Sequence, residues 1–273
     1  MIDLIPEELL DDISNGECLP VIGAGFSRNA ILPSGCRMPL WDDLGKEVAT
    51  RRKRPFSGNT IATLSEYSEE SSRFELVKLL RRSLHIATAR PGTAHDTFAK
   101  LPFKQILTTN FDFLIERAYM NQGKPYLPIV DEDLLSFGQP DGETRIIKMH
   151  GDLHHPNLMV VTEEDYDKFR DARELMFYEV ANLLIHNSVL FVGYSIDDPD
   201  FRQILRLVEK HVGKFQRPTY AMLVGATNAE VETYKRRGVT RVITLHATPK
   251  EYGATLANAF STISTFLNAP SKP

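Results

Sequence analysis

A short apolar run, Leu19, Val21 and Ile22 around Pro20, ends abruptly in Gly23-Ala24-Gly25-Phe26-Ser27. A buried strand that stops on glycines must turn at once. Without a Cβ, its backbone amides can approach a partner that a side chain would hold away, a phosphate above all. Ser27 is placed either to cap the following turn or to donate its hydroxyl to the same phosphate. Alone, the turn is ambiguous, because the third glycine of a dinucleotide-binding fingerprint is missing. An ordinary strand-to-helix turn explains it as well, and its meaning depends on what the chain sets beside it.

The chain repeats the same punctuation. Apolar or β-branched runs at 105–108, 145–149, 188–192, 220–224 and 239–245 read as further strands. The first three end in Thr109-Asn110-Phe111-Asp112, His150-Gly151-Asp152 and Gly193-Tyr194-Ser195. Between them lie segments of helical spacing: 4–15, a helix from Trp41, two helices over 61–84, then 113–119, 163–170, 173–186 and 254–266. The second helix of 61–84 is expected to turn Phe74, Val77, Leu80 and Leu84 inward. Asp198-Pro199-Asp200 is a helix start, with an N-cap carboxylate, proline at the first helical position and an acid in the first turn. Continuous apolar strands alternating with helices predict a Rossmann-like, doubly wound, mostly parallel α/β sheet of about six strands. One domain over residues 1–273 is expected, with a helical insertion around 40–95 and a short Pro-Ser-Lys-Pro tail.

Composition narrows the class. The 273 residues are 42% hydrophobic and 25% charged with a net charge of −4, so no basic surplus points to nucleic acid. No stretch approaches the roughly 20 apolar residues of a membrane span, and the first residues lack the features of a signal peptide. Cys18 and Cys36 alone make neither a disulfide framework nor a thiolate zinc site. The expectation is a cytoplasmic enzyme with two free thiols. Arg-Arg-Lys-Arg at 51–54 reads as a solvated surface run.

In an open parallel sheet, ligands bind in the crevice outside the carboxyl ends of the strands, where all four punctuation marks fall. The ordered set GAGFS, TTNFD, KMHGD and VGYS resembles the sirtuin family, most of all its zinc-free bacterial NAD-consuming members in antiphage defence. That resemblance implies NAD+ as substrate, with the bond between nicotinamide and ribose cleaved. It implies that Gly23, Ala24, Gly25 and Ser27 hold the pyrophosphate. Asn110 and Asp112 would lie at the nicotinamide ribose and carboxamide, His150 would be the general base, and Gly193 and Ser195 would line the adenosine side. A branched side chain at Gly25 is then expected to weaken nucleotide binding. Control is expected from a homo-oligomer, a separate regulatory or sensor protein, or both, with no membrane and no direct nucleic acid.

The chain departs from the deacylase pattern. Thr109 stands where those enzymes carry glutamine, and no cysteine lies between Gly151 and Ser195, where they carry a zinc module. Water is therefore the expected acceptor, giving ADP-ribose and nicotinamide. A non-catalytic nucleotide-binding subunit and a zinc-free deacylase or ADP-ribosyltransferase are the alternatives. Plainer readings stand beside each assignment. Asn110 suits a helix N-cap, Asp112 a first helical turn, and His150 a bond to strand-end backbone. Asp197, Asp198 and Asp200 suit capping better than a cation site, and His154, His155 and His186 form no ligand set. Trp41 suits loop packing, and Arg28 is a further candidate to pair with a phosphate. No metal is expected. Elemental analysis of the purified protein should find no zinc near one equivalent per chain; a full, tightly held equivalent would contradict this.

Overall fold

A computed structural model describes residues 1–137, 142–248 and 251–269; the Pro-Ser-Lys-Pro tail lies outside them. The strands are β1 (Cys18–Ile22), β2 (Gln105–Thr108), β3 (Tyr126–Ile129), β4 (Thr144–Lys148), β5 (Ser188–Val192), β6 (Thr219–Val224) and β7 (Arg241–Leu245). The first six helices are α1 (Glu7–Asn15), α2 (Ala24–Ser27), α3 (Trp41–Arg51), α4 (Thr60–Glu70), α5 (Arg73–Ser83) and α6 (Thr93–Phe98). They are followed by α7 (Leu114–Asn121), α8 (Glu163–Ala172), α9 (Glu174–His186), α10 (Pro199–Val212), α11 (Asn228–Arg236) and α12 (Tyr252–Leu267).

The strands form one sheet in the order β3-β4-β2-β1-β5-β6-β7, and every neighbouring pair is parallel. Because side chains alternate along a strand, each strand feeds two cores. Ile22, Ile106, Leu190 and Val192 face α1, α6, α7 and α12. Leu19, Val21, Leu107, Val189 and Phe191 face α8, α9 and α10. This is the doubly wound arrangement that the strand–helix alternation predicts, with one strand more. The extra strand, β3, carries Pro128, which cannot donate to a ladder; it is tolerated because β3 is an edge strand. Pro20 lies in the central strand, and the pairing of β1 with β2 begins one residue beyond it, at Val21.

Helices α3 to α5 build a third core of their own, including Leu44, Val48, Leu64, Leu76 and Leu80, which packs on Phe111, Phe113 and Leu153 from the loops after β2 and β4. The insertion ends close to the expected residue 95, where α6 returns to the sheet and packs on α12. Val77, Leu80 and Leu84 are buried as expected, but Phe74 is 72% exposed. Side chains in a helix lean toward its N-terminus, so this first-turn residue overhangs the core rather than entering it. Among the described residues, no helix is long and apolar enough to cross a membrane.

The chain enters β1, winds through β2 out to β3 on one side, turns back into β4 between them, then crosses to β5 on the other side. The crevice at this switch opens where β1 and β5 end. There the two glycine turns meet backbone to backbone. Gly23 N–H donates to Val192 O at 3.1 Å and Gly25 N–H to Gly193 O at 2.9 Å. A Cβ on Gly23 would lie 2.4 Å from Gly193 O, and one on Gly193 would lie 2.1 Å from Phe26 N. Gly193 also has φ +60°, a conformation that costs other residues roughly 1–2 kcal/mol. Gly193→Ala should therefore destabilise the protein by about 2 kcal/mol or more, measured by urea unfolding. A midpoint unchanged from wild type would show that the turns can separate freely. For the same reason, Gly25→Val meets Gly193 O at 2.9 Å and perturbs the fold as well as any ligand.

Candidate active site

The crevice at these strand ends is a cavity of about 550 Å3. Gly23, Ala24, Gly25, Ser27, Asn110, Asp112, His150, Gly193 and Ser195 all line it, so the nine residues singled out in the sequence share one space. Met38, Leu40 and Trp41 close one side, and Met222, Glu230, Tyr234 and Tyr252 lie along another. Trp41, read as loop packing, is thus also a wall of the cavity, its ring 6.3 Å from that of Phe111. Arg28 is not among the lining residues, and its guanidinium pairs with Asp43 of α3 at 2.8 Å.

The loop after β2 brings Asn110 and Asp112 against α2. Ser27 Oγ donates to Asp112 Oδ2 at 2.7 Å and accepts from Asn110 Nδ2 at 3.0 Å. A serine hydroxyl has a single proton, and here Asp112 takes it. Ser27 thus neither caps a helix nor has a proton free for phosphate in this arrangement. The chain of bonds fixes the Asn110 amide: Nδ2 points to Ser27, leaving Oδ1 as the other end of the amide. The capping reading of Asn110 does not hold, since the residue preceding α7 is Phe113. Asp112 does serve the start of α7, its Oδ1 accepting from Leu114 N at 3.0 Å.

Lys148, the last residue of β4, was not singled out in the sequence. Its side chain is 1% exposed, and its ammonium donates to Asp112 O and, at 2.7 Å, to Glu116 Oε1, and lies 4.8 Å from the centre of the Phe113 ring. A buried cation of this kind persists only when paired and hydrogen-bonded. It ties the loop carrying Asn110 and Asp112 to the strand that delivers His150. A lysine ending an apolar strand, two residues before the histidine, is the signal that could have drawn attention to it.

His150 is 2% exposed and does not bond to strand-end backbone through its ring. Nδ1 faces Asp198 Oδ2 at 3.5 Å and Nε2 faces Asp200 Oδ2 at 3.4 Å. Tyr166 and Phe169 set their rings nearly perpendicular to it, at 5.3 and 5.7 Å. Burial alone would favour the neutral ring, but the Asp198 and Asp200 carboxylates outweigh it and hold His150 above the ordinary histidine range. Burial likewise raises Asp200, with His150 pulling it partly back. Asp198 also caps α10 as predicted, accepting from Phe201 N at 2.9 Å. Asp197 pairs with Arg237 at 2.5 Å. By residue type, His150, Asp198 and Asp200 would suit a cation. The carboxylates, however, sit one at each ring nitrogen, which matches a protonated imidazole better than chelation through a single nitrogen.

The loop after β5 is held in an uncommon conformation. Ile196, buried and β-branched, has φ +58°, a rare state for such a side chain. Tyr234 OH donates to Tyr194 O at 2.6 Å, and Arg237 donates to Ser195 O, so α11 clamps the loop at the cavity rim. Of the histidines weighed in the sequence, His154 stacks on Phe113, His155 pairs with Asp152, and His186 contacts Asn182 O. Cys18 is buried in β1 and Cys36 is exposed.

Residues 104–243 match the SIR2-like domain family. The chain is 32% identical over 212 residues to the NAD(+) hydrolase ThsA of Enterococcus faecium, covering 77% of this chain and 44% of that protein. It is 29% identical over 220 residues to the protein of that name from Cytobacillus dafuensis, covering 80% and 43%. With the Defense-associated sirtuin 2 of Bacillus subtilis it shares 20% identity over 219 residues, covering 78% and 21%. The chain spans less than half the length of each of these relatives. The match covers half of the chain and runs through the strand ends that carry Asn110, His150 and Gly193, and on that ground the chain belongs to the SIR2-like domain family.

Proposed function

We propose that this chain binds NAD+ in the crevice at the β1–β5 switch and hydrolyses the bond between nicotinamide and ribose. The observation that carries the reading is the meeting of Asn110 and His150, from different strands, in one cavity whose floor is the paired glycine turns. A volume of about 550 Å3 lies within the usual range of ligand pockets, about 300–1,000 Å3. The names of the ThsA relatives support the same chemistry.

In this reading the turn at Gly23 to Gly25 faces the pyrophosphate, with Ser27 holding Asn110 rather than the phosphate itself. Asp112 acts through Ser27, and Gly193 and Ser195 line the adenosine side. The C–N bond breaks with its electron pair going to the nicotinamide ring, which leaves uncharged, so no strong acid is needed. The ribose carbon left behind carries developing positive charge. The carboxylates around His150 stabilise it without having to reorganise. Asn110 Oδ1 orients a ribose hydroxyl or the attacking water. Water oxygen bonds to the ribose carbon, its proton passing to the His150 cluster. NAD+ and water thus become nicotinamide, ADP-ribose and one released proton.

We further propose that the described residues form a single NAD-binding unit and that the activity is a gated effector of antiphage defence. Self-association, a separate sensor protein, or both would release it. Relatives named as NAD(+) hydrolase and as a defence-associated sirtuin support that setting. Unregulated hydrolysis would deplete the cell that makes it.

His150→Ala and Asn110→Ala should each lower NAD+ turnover by roughly two to four orders of magnitude. Because both act mainly on the transition state, NAD+ affinity should stay within about threefold of wild type. Calorimetric binding and turnover measured side by side, with circular dichroism to confirm folding, test this. Near wild-type turnover in folded His150→Ala would overturn the assignment.

A further inference from the structure

The Asp-Pro-Asp segment that opens α10 does more than start a helix. Asp200 is 5% exposed, and its Oδ2 has no hydrogen-bond partner within normal distance; the same holds for the His150 Nε2 that faces it at 3.4 Å. Two such groups left unpaired side by side would each carry a desolvation cost, so their proximity calls for a shared proton. On the opposite ring edge, Asp198 Oδ2 lies 3.5 Å from Nδ1 and accepts from Tyr166 OH at 3.3 Å. A neutral imidazole has one N–H and one lone pair, and a lone pair set against an ionised carboxylate is repelled. With a carboxylate at both nitrogens, the cluster is satisfied only when a proton occupies each gap.

We propose that Asp198 and Asp200 are positioning residues acting through His150: one at each ring nitrogen, they fix the ring plane and stabilise the ring's protonated form. Asp198 lines the cavity beside His150, while Asp200 is not among the lining residues and supports the ring from behind. The rings of Tyr166 and Phe169, both on α8, hold the ring from its sides. Arg173, buried at the start of α9, is the opposing positive charge and lowers the ring's proton affinity. The proton leaving the attacking water then passes by way of Asp198, the carboxylate that lines the cavity, to a ring whose charged form is already provided for. This role rests on the hydrolase reading, but the state of the ring does not.

The sign follows directly. Carboxylates favour the charged ring, so removing one lowers the pH at which His150 titrates. A base must shed its proton to act, so the acid limb of the turnover profile should move to lower pH in the same variants. Asp198→Asn is the discriminating change, because asparagine caps a helix as well as aspartate does while losing the charge. Asp200→Asn removes the rear charge at nearly constant shape, and Asp200→Glu should restore part of the effect.

The test is histidine-labelled NMR titration of wild type and these variants, with His150→Ala identifying the resonance, alongside pH profiles of NAD+ turnover. Both Asn variants should titrate at least about one pH unit lower. They should lose roughly ten- to a hundredfold in kcat, with KM within about threefold. An unchanged His150 midpoint in both folded Asn variants would overturn the proposal. So would a tightly held divalent metal, near one equivalent, that the variants lose. A shifted midpoint in a protein that never consumes NAD+ would uphold the clamp and sink the hydrolase reading; turnover without any shift would do the reverse.

Discussion

The contact between the turn after β1 and Gly193 after β5 leaves no room for a Cβ on either side, and the geometry of the crevice depends on it. Two neighbouring parallel strands normally diverge into their own loops. Here the turn after β1 is tied to the end of β5 by Gly23 N–H to Val192 O and to the loop after it by Gly25 N–H to Gly193 O. The joint brings α2 across the mouth of β1 and so places Ser27 within reach of the loop after β2. From Ser27 the chain of bonds runs to Asn110 and Asp112, then through the Asp112 carbonyl to buried Lys148, two residues before His150. The site is held from its floor upward.

Much of this was legible in the sequence, for physical reasons that differ by element. Strands such as 188–192 are continuous apolar runs because both faces of a parallel sheet are buried. The Asp198-Pro199-Asp200 start was readable because capping is local chemistry. The edge strand β3 was not, since Pro128 argues against a strand unless its edge position is already known. Phe74 failed because periodicity gives a face but not where the partner ends.

The site was legible in membership and less so in wiring. Glycine and polar punctuation marks strand ends wherever it falls, and the topology then gathers those ends. Which hydroxyl donates to which carboxylate depends on contacts spanning tens of residues, such as the 85 that separate Ser27 from Asp112. Ser27 therefore read as a phosphate ligand and Asp200 as a helix-start acid, although one holds an asparagine amide and the other faces a buried histidine. The sirtuin resemblance, by contrast, rests on the strand-end motifs themselves, and membership of the SIR2-like domain family agrees with it.

The central claim is that the glycine-floored crevice spends NAD+ on water. Chromatography of purified protein incubated with NAD+, with and without candidate activators, tests it most directly. The account predicts nicotinamide and ADP-ribose appearing in equal amounts as NAD+ disappears. Intact NAD+ under every condition, or nicotinamide released without matching ADP-ribose, would contradict it.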